Sequence, residues 1–267
     1  MPAASPVINM IQNRPYPQCL ALLCMVLFGA VPACAWAGEA TAQTVTTEDA
    51  VTTIGPCVSV SVAKHEVYLE ATVCLRRGIL EYLICKSRTF EHESIFATEC
   101  KPSYLHAALL LIGTEPIPDA DTYDWADKIR THAPSLLSID VEYENAGALQ
   151  RKHISGFLSN RERKDGIVPD RWAFAGSVFY ERDGQQLYAA DSTGGVIGLS
   201  PKGAPVVQFG ERLGSPYQGE AEGVECAEDG IPPRGTRVRV ILSPYGSAPP
   251  VAGPAVRHGG AKQAVPP

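Results

Sequence analysis

The chain reads as an α+β protein dominated by β structure: a mostly antiparallel sheet with one prominent helix, at about residues 103–112. Three observations predict this. Apolar and polar residues alternate over short stretches, clearly in 57–62, 66–74 and 136–144, as they do in half-buried strands. One prominent stretch carries apolar residues at helical spacing, namely Leu105, Ala108, Leu109 and Ile112. Charged residues make up 19% of the 267, beside 24 Gly and 22 Pro, which suits a loop-rich β domain better than a helical bundle.

Residues 1–37 read as a signal peptide. The run from Cys19 to Ala37 is apolar and uncharged, only Arg14 carries charge before it, and it ends in the small-x-small pattern Ala35-Trp36-Ala37. Met10 offers a second start. Two alternatives to cleavage after Ala37 are a lipid on Cys34 and an uncleaved anchor. Either would be the chain's contact with a membrane. The expected location is therefore the periplasm or cell envelope. Residues 38–56, rich in Thr and Ala, read as a flexible linker. Residues 243–267 are Pro, Gly and Ala with few large apolar side chains, and read as a disordered tail. The folded domain is then 57–242. A net charge of −6 without a basic patch excludes a nucleic-acid partner and leaves an envelope protein or a small ligand.

Within that domain, Cys57–Val62 and Glu66–Cys74 predict the first two strands, reversing at Lys64-His65. Ile79–Cys85 predicts a third strand after the break at Arg76-Arg77-Gly78. Lys86–Glu91 is a polar loop, and His92–Thr98 a short extended segment. Pro102 and Ser103 open the helix, and Gly113 caps it. Gly113–Pro134 predicts a long loop with a solvated acidic face at Asp119, Asp121, Asp124 and Asp127. Leu136–Glu144 is a strand; His153–Arg161 is a short helix or extended. Trp172–Glu181, Gln186–Ala190 and Gly195–Leu199 predict further strands, with Asp191–Gly195 as a hairpin turn. Trp172, Phe174, Phe179 and Tyr180 read as core and sheet-face aromatics. Thr236–Leu242 closes the domain.

After residue 37 five cysteines remain: Cys57, Cys74, Cys85, Cys100 and Cys226. In an oxidising compartment an odd number leaves at least one unpaired, metal-bound or joined to another molecule. A reversal around Lys64–Glu66 places Cys57 opposite Cys74, near disulfide reach, and predicts a Cys57–Cys74 bridge.

Several fragments together resemble the YdjY-domain family of bacterial envelope proteins. They are Gly78-Ile79-Leu80-Glu81 with Cys85, His92-Glu93-Ser94, Leu105–Leu110 with Gly113, Trp172–Ser177, and Tyr188–Asp191 with Gly194 or Gly195 and Val196-Ile197. The resemblance spans about 57–207. It implies an exported domain of unknown function and brings no activity with it. Some members are described as ferredoxin-like for their cluster-binding cysteine runs, and this chain has no C-x2-C-x2-C run.

The densest set of chemically capable side chains lies between Cys85 and His106. Cys85, His92, Glu93 and His106 are a competent set for a divalent metal such as zinc, with Glu93 a fourth ligand or a base. Their spacing, Cys-x6-His-Glu-x12-His, matches no specific metal motif. The competing reading is structural: His106 on the helix face bonds a backbone carbonyl, and His92-Glu93-Ser94 cap element ends. The expected function is a non-enzymatic binding or interaction module; the alternative is a metal-dependent or redox enzyme using the same segment.

Overall fold

Eight strands close on themselves in this computed structural model. It describes residues 50–118, 131–162, 172–199, 204–210 and 223–246. The stretch read as a signal peptide, most of that read as a linker, the acidic loop and nearly all of the stretch read as a tail lie outside the described residues.

In chain order the strands are β1 (Thr52–Gly55), β2 (Val58–Ser61), β3 (Glu66–Val73), β4 (Ile79–Leu80), β5 (Tyr82–Lys86), β6 (Ser94–Thr98), β7 (Leu136–Asn145) and β8 (Ala148–His153). They continue with β9 (Leu158–Asn160), β10 (Trp172–Phe174), β11 (Phe179–Arg182), β12 (Gln185–Tyr188), β13 (Gly195–Gly198), β14 (Val207–Phe209), β15 (Val224–Cys226) and β16 (Arg237–Pro244). The two α-helices among the described residues are α1 (Pro102–Leu111) and α2 (Ala189–Thr193).

Hydrogen bonding runs β3-β16-β7-β10-β14-β13-β5-β6, and β6 returns to β3 through Thr72↔Ala97 and Val73↔Phe96. The expectation of a mostly antiparallel sheet is corrected here. The sheet is a closed barrel, and two of its neighbouring pairs, β5–β6 and β13–β14, are parallel. Closure removes the two edges that an open sheet would expose. β2 and β1 extend it beyond β3, and β8 pairs on β7. Separate from it are the two-stranded ribbon β11–β12 and the three-stranded sheet β4-β15-β9.

Alternation has its expected cause in the long strands. Leu137, Ile139 and Val141 of β7 are buried between half-buried neighbours, and β16 buries Val238 and Val240 against exposed Arg237 and Arg239. Trp172, Phe174 and Phe209 lie on short strands buried at every residue, so their segments show no alternation. Trp172 and Phe209 meet at 5.1 Å between ring centroids, and Phe96 meets Phe157 edge-on at 5.9 Å.

Helix α1 buries Leu105, Ala108, Leu109 and Ile112 and ends where Gly113 adopts φ +83°. Its first turn has no cap from its own side; Ser103 N–H donates to Asp191 Oδ1 and Ser103 Oγ to Asp191 Oδ2, both at 2.8 Å. Asp191 is therefore a cap supplied from 88 residues away in sequence, and not the hairpin turn the local sequence suggests. The segment 189–193 is α2, stopped by Gly194 in the left-handed region.

Other expectations are redrawn. β1 lies inside the stretch read as linker. Ile79–Cys85 is two strands divided at Glu81, and Trp172–Glu181 is two strands divided by Gly176 and Ser177, both at positive φ. The Cys57–Cys74 bridge is not formed. The first hairpin pairs Val60 with Val67 and Val58 with Leu69, so its turn centres nearer Lys64 than the sequence reading allowed, and Cys57 faces Glu70. Cys57 instead bonds Cys100, with Cα atoms 5.7 Å apart across 43 residues. Cys74, Cys85 and Cys226 are free thiols.

Candidate functional site

The four side chains singled out between Cys85 and His106 do not form one site. His92, 72% exposed, stands beside Glu93, with Nε2 3.9 Å from Oε2. Cys85 is fully buried at the end of β5. His106 is half-buried on α1 and faces the segment leading into the ribbon. Among the described residues no group of three His, Cys, Asp or Glu side chains is placed to hold a metal ion.

His106 does structural work. Its Nδ1 lies 3.0 Å from the Gly176 carbonyl oxygen and 2.9 Å from Tyr188 Oη. A carbonyl only accepts, so Nδ1 carries the proton. Tyr188 O–H also donates to Gly176 O at 2.9 Å. The imidazole ring stands edge-on to Phe174 at 4.9 Å and to Tyr188 at 5.6 Å. Burial pulls the His106 pKa below its ordinary value, partly opposed by the Gly176 bond. Burial pushes the Tyr188 phenol up.

Gly176 is required where it stands. Its φ is +83°, and an added Cβ would lie 2.8 Å from the Pro116 Cβ. Ser177 next to it donates from Oγ to Ala204 O at 2.6 Å and accepts from Ala190 N–H at 3.1 Å. Together these bonds fix the base of the ribbon: Tyr188 ends β12, Gly176 and Ser177 precede β11, and Asp191 ties α2 to α1.

The ribbon beyond that base is solvated. Phe179 is 61% exposed, Val178 38% and Tyr180 37%. Its four residue pairs run from Phe179↔Tyr188 to Arg182↔Gln185, and neither strand has another partner among the described residues.

The residues match the YdjY domain over 58–243. The chain belongs to the YdjY domain family. No curated protein and no solved structure matches it significantly. The YdjY match runs from the start of β2 to the next-to-last residue of β16 and so reaches every strand of the barrel.

A second cluster in this YdjY domain escaped the sequence reading. Cys74 directly follows β3; its N–H donates to Ile95 O at 2.8 Å, and its thiol lies 3.1 Å from Ser94 O and 3.4 Å from Ile95 O. Cys85 pairs with Ala97 on the opposite flank of the same strand, β6. The neighbouring Cys74 thiol holds Cys85 down to about 7 against burial, which opposes it. Cys85 and then burial push the Cys74 thiol up, so it holds its proton more tightly. Ser94 Oγ is buried and has no hydrogen-bond partner. The available signal was that both apolar strands, 66–74 and 79–85, end in cysteine.

Proposed function

We propose that this YdjY domain is exported to the cell envelope and acts there as a non-enzymatic binding module that takes an extended segment of an envelope protein on the β11–β12 ribbon. One observation carries the reading: a solvated two-stranded ribbon with Phe179 and Tyr180 exposed, whose base is pinned by His106, Tyr188, Gly176 and Ser177. A ribbon with unpaired edges gives main-chain hydrogen bonds to an added strand, and Phe179 and Tyr180 supply apolar contact. A fixed base lowers the ordering cost of binding. Another outer strand, β8, carries Arg151 and Lys152, charges that discourage strand addition there. Export is supported by the apolar segment ending at Ala37 and by the Cys57–Cys100 pair.

The test is site-specific photo-crosslinking in cells making the full chain, with benzoylphenylalanine replacing Phe179 or, as control, Leu149, which is 70% exposed on β8. The expected result is one discrete adduct from position 179, in the envelope fraction, on a chain starting at Gly38, and none from position 149. Equal labelling from both positions, or a cytoplasmic chain retaining residues 1–37, overturns the proposal.

A further inference from the structure

We infer that the chain's own C-terminal segment is an occupant of the ribbon: Ala255, Val256, Arg257 and His258 add to the free edge of β11 in cis and compete there with the partner's strand. This rests on the reading of the ribbon as a strand-accepting surface, and it names what regulates that surface.

The barrel brings segment and ribbon together. β10 and β16 both pair antiparallel with β7, Ala173 against Leu136 and Pro244 against Leu137, and Tyr245 N–H donates to Leu136 O at 2.9 Å. The two strands therefore run the same way on either side of β7 and finish at the same end of the barrel. One leads into the ribbon; the other releases the C-terminal segment. Two interstrand spacings separate them by about 10 Å. The run from Phe174 to Phe179 adds at most about 18 Å. The run from Gly246 to Arg257 spans up to about 36 Å, so the segment reaches β11 with chain to spare.

Composition selects the part that docks. Pro249, Pro250 and Pro254 offer no N–H to a ladder, and Ala255 opens a stretch without Pro that lasts to Val265. Charge then sets the register. Residues 247–267 carry Arg257 and Lys262 and no acid, in a chain of net charge −6. On β11, Arg182 Nε lies 3.7 Å from Asp183 Oδ2, whereas Glu181 has no ion pair among the described residues. Side chains alternate along a strand, so Phe179 and Glu181 share one face of β11 and Tyr180 takes the other. Arg257 set beside Glu181 lies on the Phe179 face, and Val256 then falls on the Tyr180 face. A guanidinium meets a carboxylate and a ring, and a β-branched side chain meets a second ring. Shifted by one residue, Arg257 would meet Arg182 instead. So short a strand binds weakly alone, but its tether holds it at about millimolar effective concentration. The covered edge is closed to pairing between copies, and an incoming segment has to displace the cis strand.

The full chain is prepared with benzoylphenylalanine at position 179, and isotope-labelled and unlabelled protein are mixed before irradiation.

Mass spectrometry should find position 179 joined to a peptide from residues 247–267 of the same isotope, at a yield independent of protein concentration. Arg257→Glu should lower that yield about threefold, as loss of one cross-strand charge pair does, and adding Glu181→Arg should restore it. Linkage between the two isotopes would make the occupant a second copy and overturns the inference. So does position 179 joined to no peptide of the segment, or a yield indifferent to Arg257→Glu. The purified protein contains no envelope partner, which separates this inference from the reading it rests on. An adduct at position 179 in cells without cis linkage in the purified chain removes the cis occupant alone. Cis linkage without any adduct in cells, even from Arg257→Glu, removes the envelope partner and leaves the cis occupant.

Discussion

At His106 one ring nitrogen links three parts of the chain that are far apart in sequence: helix α1, the Gly176 turn and the end of β12. Its depressed pKa fixes the sign of a pH effect. Below the ordinary histidine value of about 6.5 the unfolded chain takes up a proton that the folded imidazole resists. The unfolded state then binds more protons, and stability falls as pH drops from about 6.5 toward the lower folded value. Thermal melts at pH 7.5 and 5.5 should show this loss, and His106→Gln should make the two melts converge. A wild-type melt unchanged over that range would contradict the assigned burial. In the sequence His106 was visible as a helix-face residue, and a carbonyl bond was one of its two readings. The identity of that carbonyl was not legible, because Gly176 lies 70 residues on. The same distance hid the Asp191 cap, whose neighbours Ser192, Thr193 and Gly194 look like turn residues when read locally.

The elements divide by how much of their surface meets water. β3, β7 and β16 keep a solvated or half-solvated face, so their alternation could be read directly from the sequence. β10, β13 and β14 are buried on both faces and short, so they carry no period and their pairings, one of them parallel, could not be derived. Helix α1 was legible from Leu105, Ala108, Leu109 and Ile112, but what anchors its start was not. A register difference in the first hairpin moved Cys57 away from Cys74 and left it to Cys100, two residues before α1. That bond ties the helix to β2 and closes a loop spanning 43 residues. The chain-entropy model gives such a loop about 4 kcal/mol of stabilisation. Replacing both Cys57 and Cys100 by Ala should lower unfolding stability by about that amount in urea titrations, and a change below about 1 kcal/mol would show that the barrel holds α1 without the bond.

For the whole molecule, closure makes the eight barrel strands depend on one another, whereas the ribbon leans only on its base. Hydrogen exchange should reflect this. Amides of β3, β7 and β16 should open only with global unfolding, while those of β11 and β12 exchange through a local opening of lower free energy. Equal protection in ribbon and barrel would mean that the ribbon is no separate unit. The sequence disclosed the β-dominated composition and the family of this chain. It could not disclose closure, because the deciding pair, Val73 with Phe96, leaves no local pattern.

The position of β16 in the ring also sets the order in which the molecule can be assembled. The last strand among the described residues, 237–244, sits between β3 and β7 and hydrogen-bonds to both. A chain emerging from its N-terminus therefore holds two long unsatisfied strand rims until its final strand arrives. During that interval they are templates for pairing with any other extended chain. A polypeptide that stops short of Arg237 keeps those rims permanently. For this protein, loss of a few residues near the end of the match is thus a defect of the entire ring, and the emerging chain needs shielding until its last strand has been delivered.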